Sequence, residues 1–191
     1  MDICGILEIV ALVAGIAYMV LQVLQKRIMW YFNLVTSASS LAVTLMSRLW
    51  ASAALDTYFI ITSVIGIFTW RALARKDGEG DRVRLVRLTP SAVLVSAAVV
   101  VVGGVGIYFL LLHTNDASPV ADAATMILSV IAAWWLTRPY IEQWYVWLAA
   151  DLIAVIMYAT QGLWGMMALF SLYSLSCFAG YIHWRKKGIY V

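Results

Sequence analysis

Seven apolar stretches, each about as long as a membrane-spanning helix, constrain this chain more than any other feature. They run over 5–24, 28–46, 50–70, 91–112, 120–137, 142–160 and 163–184. A helix rises 1.5 Å per residue, so about 20 apolar residues cross a hydrocarbon core of about 30 Å. The composition agrees: 64% of the 191 residues are hydrophobic, 12% are charged, and the mean hydropathy is +0.90. A soluble domain of this size has too small an interior to hide so much apolar surface, and disorder requires the opposite composition. The expectation is a single all-α membrane domain of seven transmembrane helices over 1–191. The second stretch is the weakest, because Thr36, Ser37, Ser39, Ser40 and Thr44 dilute it. Without it, however, Lys26 and Arg48 would fall on one side of the membrane. The first stretch reads as a span rather than a cleaved leader, because no basic segment precedes it. The longest hydrophilic segment, Arg71 to Arg87, reads as a solvated loop.

The basic residues are sorted by side. Seven spans put Lys26, Arg27, Arg71, Arg75, Lys76, Arg82, Arg84, Arg87, Arg138, Arg185, Lys186 and Lys187 on one face and only Arg48 on the other. Lys and Arg accumulate on cytoplasmic loops, so the N-terminus is expected outside and the C-terminus in the cytoplasm. These charges read as topology signals that touch anionic lipid, and no nucleic-acid partner is expected.

The chain also repeats itself. Residues 30–70 laid over 144–184 without a gap place Trp30 on Trp144, Trp50 on Trp164 and Trp70 on Trp184. Leu34, Leu49, Ala54, Leu55 and Gly66 fall on Leu148, Leu163, Ala168, Leu169 and Gly180, and upstream Glu8 falls on Asp122. Tryptophan is rare enough that three coincidences at one offset point to a duplication. Repeat one covers about 5–70 and repeat two about 120–184, with a connecting loop and helix over about 71–112. A three-span unit ends opposite its start, so one extra span lets the second unit enter in the same sense. The result is a 3+1+3 arrangement of parallel repeats, in which a site at the repeat interface is a known plan for transporters. Gly103, Gly104 and Gly106 of the connector read as positions of close helix packing.

Helical spacing sorts the polar residues onto faces. Trp30, Asn33, Ser37, Ser40, Thr44 and Ser47 share one stripe, and Trp144, Trp147, Asp151, Ala154, Tyr158 and Gln161 share the equivalent one. Asp56, Phe59, Ser63, Gly66 and Trp70 share a face of the third span, matched by Phe170, Tyr173, Cys177, Gly180 and Trp184 in the seventh. Such faces turn away from lipid, and an intramembrane carboxylate marks function by default. The candidate substrate-binding set is Asn33, Ser37, Asp56, Phe59, Trp144, Trp147, Asp151, Tyr158, Gln161 and Tyr173. The competing reading gives Asp56 a structural hydroxyl partner and makes Trp30, Trp144 and Trp164, near span ends, an aromatic belt. Glu8, Asp122 and Glu142 lie nearer the membrane surfaces, where capping or snorkelling suits them. Aromatic faces beside carboxylates fit a planar, cationic, hydroxyl- or amino-bearing small molecule, the chemistry of water-soluble vitamins with a charged ring.

Several chemistries are excluded. Retinal attachment needs an intramembrane lysine, and Lys26, Lys76, Lys186 and Lys187 all lie at membrane edges. His113 and His183 are the only histidines, and no zincin, nucleophile-elbow or P-loop motif occurs, so no enzyme, metal or cofactor is expected. Cys4 and Cys177 form no disulfide framework.

The run Glu142-Gln-Trp144-Tyr-Val-Trp147-Leu-Ala-Ala-Asp151, preceded by Arg138, resembles the Glu-x-Trp-x-x-Trp-x-x-x-[Asn/Asp] segment of PnuC-type vitamin transporters. Asp122 with Leu128-Ser129, Tyr158, Gln161-Gly162-Leu163 and Gly180 with Trp184 extend the likeness, as do Glu8, Trp30, Leu49-Trp50-Ala51-Ser52, Gly66 and Trp70 in the first repeat. The resemblance implies a SWEET-like fold and facilitated uptake of nicotinamide riboside, or in relatives thiamine or riboflavin, across the bacterial inner membrane. It implies trapping by a cytoplasmic vitamin kinase rather than a coupling ion or ATP, and related folds suggest a homo-oligomer. Its tryptophan-rich site maps onto Trp144 and Trp147, and its Asn or Asp onto Asp151. Asp56 and Ser63 depart from the glutamine and asparagine expected in the third span, and they bear on the choice between nicotinamide riboside and thiamine. Two rivals remain: a non-transporting membrane receptor or scaffold, and a sugar carrier of the same fold with fewer aromatics around its site.

Overall fold

The computed structural model describes residues 3–77, 85–113 and 118–188. They form seven helices: α1 (Ile3–Val23), α2 (Met29–Met46), α3 (Trp50–Asp77), α4 (Pro90–Leu111), α5 (Pro119–Thr137), α6 (Gln143–Thr160) and α7 (Trp164–Lys187). Six of them are long and apolar enough to cross a membrane, and α2 falls short. Its polar residues face inward instead: Asn33, Ser37 and Ser39 are buried. The most apolar windows belong to α4 and α1, with mean hydropathies of 2.5 and 2.4; α4 stands at the edge of the bundle, on α5, and α1 packs between α2 and α7. Their outward faces carry Leu94, Val101, Val102 and Leu110 on α4 and Ile3, Leu12 and Val13 on α1. Such a surface suits hydrocarbon and not water.

The helix ends follow local chemistry. Thr89 caps α4 by accepting the Ala92 N–H at 3.3 Å, and Pro90 fills the first turn where no N–H is needed. Pro119 opens α5 in the same way. The turns after α2 and α6 close identically: the N–H of Leu49 reaches the Thr44 carbonyl at 2.8 Å, and that of Leu163 reaches the Tyr158 carbonyl at 2.9 Å. Each turn needs one left-handed residue, Arg48 at φ 58° and Gly162 at φ 72°.

The hydrophilic segment departs from expectation. Helix α3 runs on to Asp77, so Arg71 to Asp77 is helical rather than loop. Leu85 is fully buried, and the Val86 N–H donates to the Pro139 carbonyl at 3.3 Å, docking this strip on the α5–α6 turn. The remainder, residues 78–84, lies outside the described residues. Among the connector glycines, Gly103 lies closely against Ile127 of α5, whereas Gly106 has open space around it.

Helices α1, α2 and α3 pack in series, as do α5, α6 and α7. The two triplets meet twice, through α3 against α5 and through α1 against α7, and α4 packs on α5. At the end carrying Lys26, Arg71, Arg138 and Arg185, four tryptophans interlock. Trp30 meets Trp70 edge-on at 5.8 Å, Trp144 meets Trp184 edge-on at 5.4 Å, and Trp70 meets Trp184 at 6.1 Å. The Trp70 indole N–H donates to the Leu136 carbonyl at 2.9 Å, and that of Trp184 to the Gln22 carbonyl at 3.0 Å. Trp30 is 1% exposed and Trp144 3%, so neither belongs to a lipid-facing belt; Trp164, 65% exposed, occupies such a position.

Gly66 and Gly180 make room for this cluster. A Cβ at Gly66 would fall on the Trp30 indole, and one at Gly180 on the Trp144 indole. Overpacking of this kind costs about 1–3 kcal/mol, more than the ~1 kcal/mol that alanine gains over glycine in a helix. Gly66→Ala and Gly180→Ala should therefore each lower the thermal midpoint of the detergent-purified protein. Gly106→Ala, in open space, should leave it unchanged or raise it. Equal midpoints for all three would refute this packing.

Candidate functional site

The two triplets enclose a cavity of about 420 Å³, within the usual range for small-molecule sites. Helix α1 contributes its second half, including Tyr18 and Gln22, and α5 its first half, from Asp122 to Ser129. Helices α2, α3, α6 and α7 supply the rest. The structure brings nine of the ten predicted side chains to its wall: Asn33, Ser37, Asp56, Phe59, Trp144, Trp147, Asp151, Tyr158 and Tyr173. Gln161 lies elsewhere. It is exposed at the C-terminal end of α6 and donates to the Ser118 hydroxyl at 3.1 Å. The stripe that included it runs one residue past the end of the helix, and the chain there turns away from the cavity.

Three carboxylates line the space, and no Lys, Arg or His joins them among the described lining residues. Asp56 is held by two hydroxyls, Ser40 at 3.0 Å and Thr44 at 3.1 Å, both donating to Oδ2. Asp151 is buried, and its Oδ2 accepts from the Cys177 thiol at 3.5 Å. Asp122, read from sequence as a surface residue, occupies the first turn of α5 and also lines the cavity. Helix-end stabilisation and cavity lining are compatible, because a carboxylate in the first turn complements the positive end of the helix. Glu8, its repeat counterpart, remains at the outer surface of α1.

The α6–α7 side is aromatic. Tyr158 stacks on Phe170 at 5.3 Å and 37°, and Phe170 meets Tyr173 at 5.6 Å and 75°. The Trp147 indole nitrogen is buried without a hydrogen-bond partner. The α2–α3 side is polar: the Asn33 amide donates to the Ser63 hydroxyl at 2.9 Å, which donates on to the Phe59 carbonyl. At the Trp end the floor is Gln22, whose amide reaches Gln143 at 3.4 Å.

Tyr18, Gln22 and Thr36 were not among the predicted site residues, although all three line the cavity. Helix α1 is strongly apolar, but Gly15, Tyr18 and Gln22 share one helical face, and that spacing was the available signal. Phe170 and Cys177 lay on the face recognised in the seventh span and needed only its inward assignment. Among the described residues, no group of three or more His, Cys, Asp or Glu side chains could hold a metal ion. The arrangement can bind and orient a small molecule.

The chain is similar to known proteins. The chain is 24% identical over 183 residues to the nicotinamide riboside transporter PnuC of Escherichia coli strain K12, an overlap of 84% of this chain and 77% of that one. It is 24% identical over 181 residues to the nicotinamide riboside transporter PnuC of Haemophilus influenzae, covering 94% and 79%. Its fold matches the crystal structure of the vitamin B3 transporter PnuC, with a TM-score of 0.71 at 22% identity over 96% of this chain and 87% of that one. Together with the six spanning helices, these likenesses identify a multi-pass membrane protein. The family model described as nicotinamide mononucleotide transporter matches residues 5–186, nearly the whole chain, and the chain belongs to that family.

Proposed function

We propose that this protein takes up nicotinamide riboside across the bacterial inner membrane by facilitated diffusion, working by alternating access around the cavity just described. The observation that carries the reading is a cavity lined by aromatic rings and three carboxylates with no basic residue among its described walls, in a member of this family. Nicotinamide riboside is a pyridinium cation bearing a carboxamide and a diol. Its ring suits the faces of Trp147, Tyr158, Phe170 and Tyr173, since aromatic faces attract cations. Its carboxamide oxygen can accept the unpartnered Trp147 indole N–H, a group costly to leave unpaired. The charge pattern favours the riboside over the mononucleotide. A phosphate about 6 Å from one ionised carboxylate costs about 3 kcal/mol at an effective dielectric of 20, and no cation on the wall offsets it.

The fold reading is a 3+1+3, SWEET-like pair of parallel repeats with the N-terminus outside and the C-terminus in the cytoplasm. What supports it is the paired geometry: the Trp70 and Trp184 indole bonds, the Gly66 and Gly180 contacts and the Arg48 and Gly162 turns all recur at one sequence offset. The orientation rests on the charge bias. Without a coupling ion, such a carrier only lets the free cation run down its electrochemical gradient, so sustained uptake rests on a cytoplasmic kinase that phosphorylates the vitamin. The homo-oligomer suggested by related folds belongs to the same reading. Thiamine, also a ring cation, is the runner-up substrate, and riboflavin is a third.

Purified protein titrated calorimetrically with nicotinamide riboside, thiamine, riboflavin and nicotinamide mononucleotide should give saturable heat with the riboside and none with the mononucleotide. Trp147→Ala should weaken binding at least about tenfold while the protein still reaches the membrane, as expected for a buried aromatic anchor. A tighter response to thiamine would transfer the assignment to that vitamin. A well-folded protein that binds none of the four would instead favour the scaffold.

Coupling is tested separately. Proteoliposomes with the membrane potential clamped at zero should bring the riboside to equal concentrations inside and out, with no change when a pH gradient is imposed. Enclosing a riboside kinase with ATP should convert equilibration into accumulation. Accumulation against a gradient without the kinase would overturn the uncoupled mechanism.

A further inference from the structure

The cavity has a two-fold frame but not a two-fold chemistry. At the offset that superposes the repeats, Ser40, Thr44 and Asp56 correspond to Ala154, Tyr158 and Phe170. The first three form a hydroxyl–carboxylate cluster, with Oδ2 of Asp56 accepting both hydroxyls. The second three form a ring stack, Tyr158 on Phe170, with a methyl group in place of the Ser40 hydroxyl. The contrast continues along the same helices. Asn33, bonded to Ser63, corresponds to Trp147, whose indole N–H has no partner. Phe59 corresponds to Tyr173, the one pair that keeps an aromatic ring on both sides. All the members named except Ser63, Thr44 and Ala154 lie on the cavity wall.

We infer that the cavity binds its ligand in one orientation across the repeat axis, with the aromatic ring against the α6–α7 wall and a hydroxylated arm against Asp56 on the α2–α3 wall. Ser40 and Thr44 saturate one carboxylate oxygen and fix the group's direction; Oδ1 has no bond among the described residues. A carboxylate is an acceptor only, so a vicinal diol, which brings two donors, complements it. The acceptor on the opposite wall, Asp151, accepts from the Cys177 thiol and lies one helical turn from Trp147, where its charge complements the cationic ring. Asp56 is thus a specificity residue for the sugar end, separate from the tryptophan-rich wall that takes the ring. This inference rests on reading the cavity as a riboside site and adds the direction in which the riboside lies.

The test compares two ligands that share the ring and differ in the arm: nicotinamide riboside and its analogue lacking the 2′ and 3′ hydroxyls. Wild-type protein should bind the riboside roughly 10- to 100-fold more tightly than the analogue, the range for hydrogen bonds to a charged acceptor. Asp56→Asn should reduce that ratio to within about threefold by weakening the riboside alone. Ser40→Ala, which only loosens the carboxylate, should reduce it partway and serves if the asparagine variant fails to fold. Phe170→Leu should weaken both ligands alike and keep the ratio. Equal losses of both ligands in Asp56→Asn, or an unchanged ratio there and in Ser40→Ala, would overturn the orientation while leaving the riboside assignment standing. Wild-type protein that binds neither ligand would remove both readings.

Discussion

Four buried tryptophans at the basic end of the bundle hold the two triplets in register. Within each triplet one edge-on pair locks neighbouring helices, Trp30 with Trp70 and Trp144 with Trp184. Between the triplets the contacts are Trp70 against Trp184 and two indole hydrogen bonds to carbonyls of the opposite half, Leu136 and Gln22. Helices in lipid gain nothing from hydrophobic association, because acyl chains are equally apolar. Tight ring packing and indole-to-carbonyl bonds are the forces that remain, and they gather where the tryptophans recur at one sequence offset. Gly66 and Gly180 are needed there because no side chain fits beside the indoles.

Above that floor the same framework carries different chemistry on its two sides. Backbone turns, glycine contacts and indole bonds repeat, while the cavity-facing positions have diverged into a hydroxyl–carboxylate half and a half where aromatic rings surround Asp151. A symmetric ligand would gain nothing from this; a molecule with a flat cationic end and a hydroxylated end would. The cost of a membrane-embedded carboxylate is moderated by placing each one beside a donor or at a helix end: Asp56 with Ser40 and Thr44, Asp151 with Cys177, Asp122 in a first turn. The structural and functional readings of Asp56 are therefore not rivals. The hydroxyls that satisfy one oxygen also aim the other.

Much of this was legible in the sequence because lipid enforces simple rules. Apolar length located every helix to within a few residues except the end of α3, where a charged helical extension beyond the membrane carries no hydropathy signal. Helical phase brought nine of the ten predicted residues to the cavity wall, since a polar side chain in a spanning helix has nowhere else to face. Phase failed where the helix itself ended, at Gln161; in α1 the stripe of Gly15, Tyr18 and Gln22 marks the cavity face but is sparse among apolar neighbours. The burial of Trp30 and Trp144 was also hidden, because a tryptophan near a span end has the same sequence signature in a lipid belt as in a core. What separated them was a tertiary fact, the pairing of each with Trp70 or Trp184 and the glycine opposite.

The same cluster sets what movement would require. In the proposed rocking of one triplet against the other, the edge-on pairs stay intact, because both partners of each pair belong to one triplet. The contacts that must part at the basic end are the Trp70–Trp184 pair, the two indole bonds, the Thr69–Thr137 bond and the Gln22–Gln143 bond at the cavity floor. At about 0.5–1.5 kcal/mol for each of these five interactions, the seam amounts to about 2.5–7.5 kcal/mol. The lower part of that range is the gap at which a minor conformation is still populated at the per cent level, so thermal motion alone could open the seam. The uncoupled carrier proposed above requires a gap of this kind, since neither ATP nor a driving ion would help to open the seam.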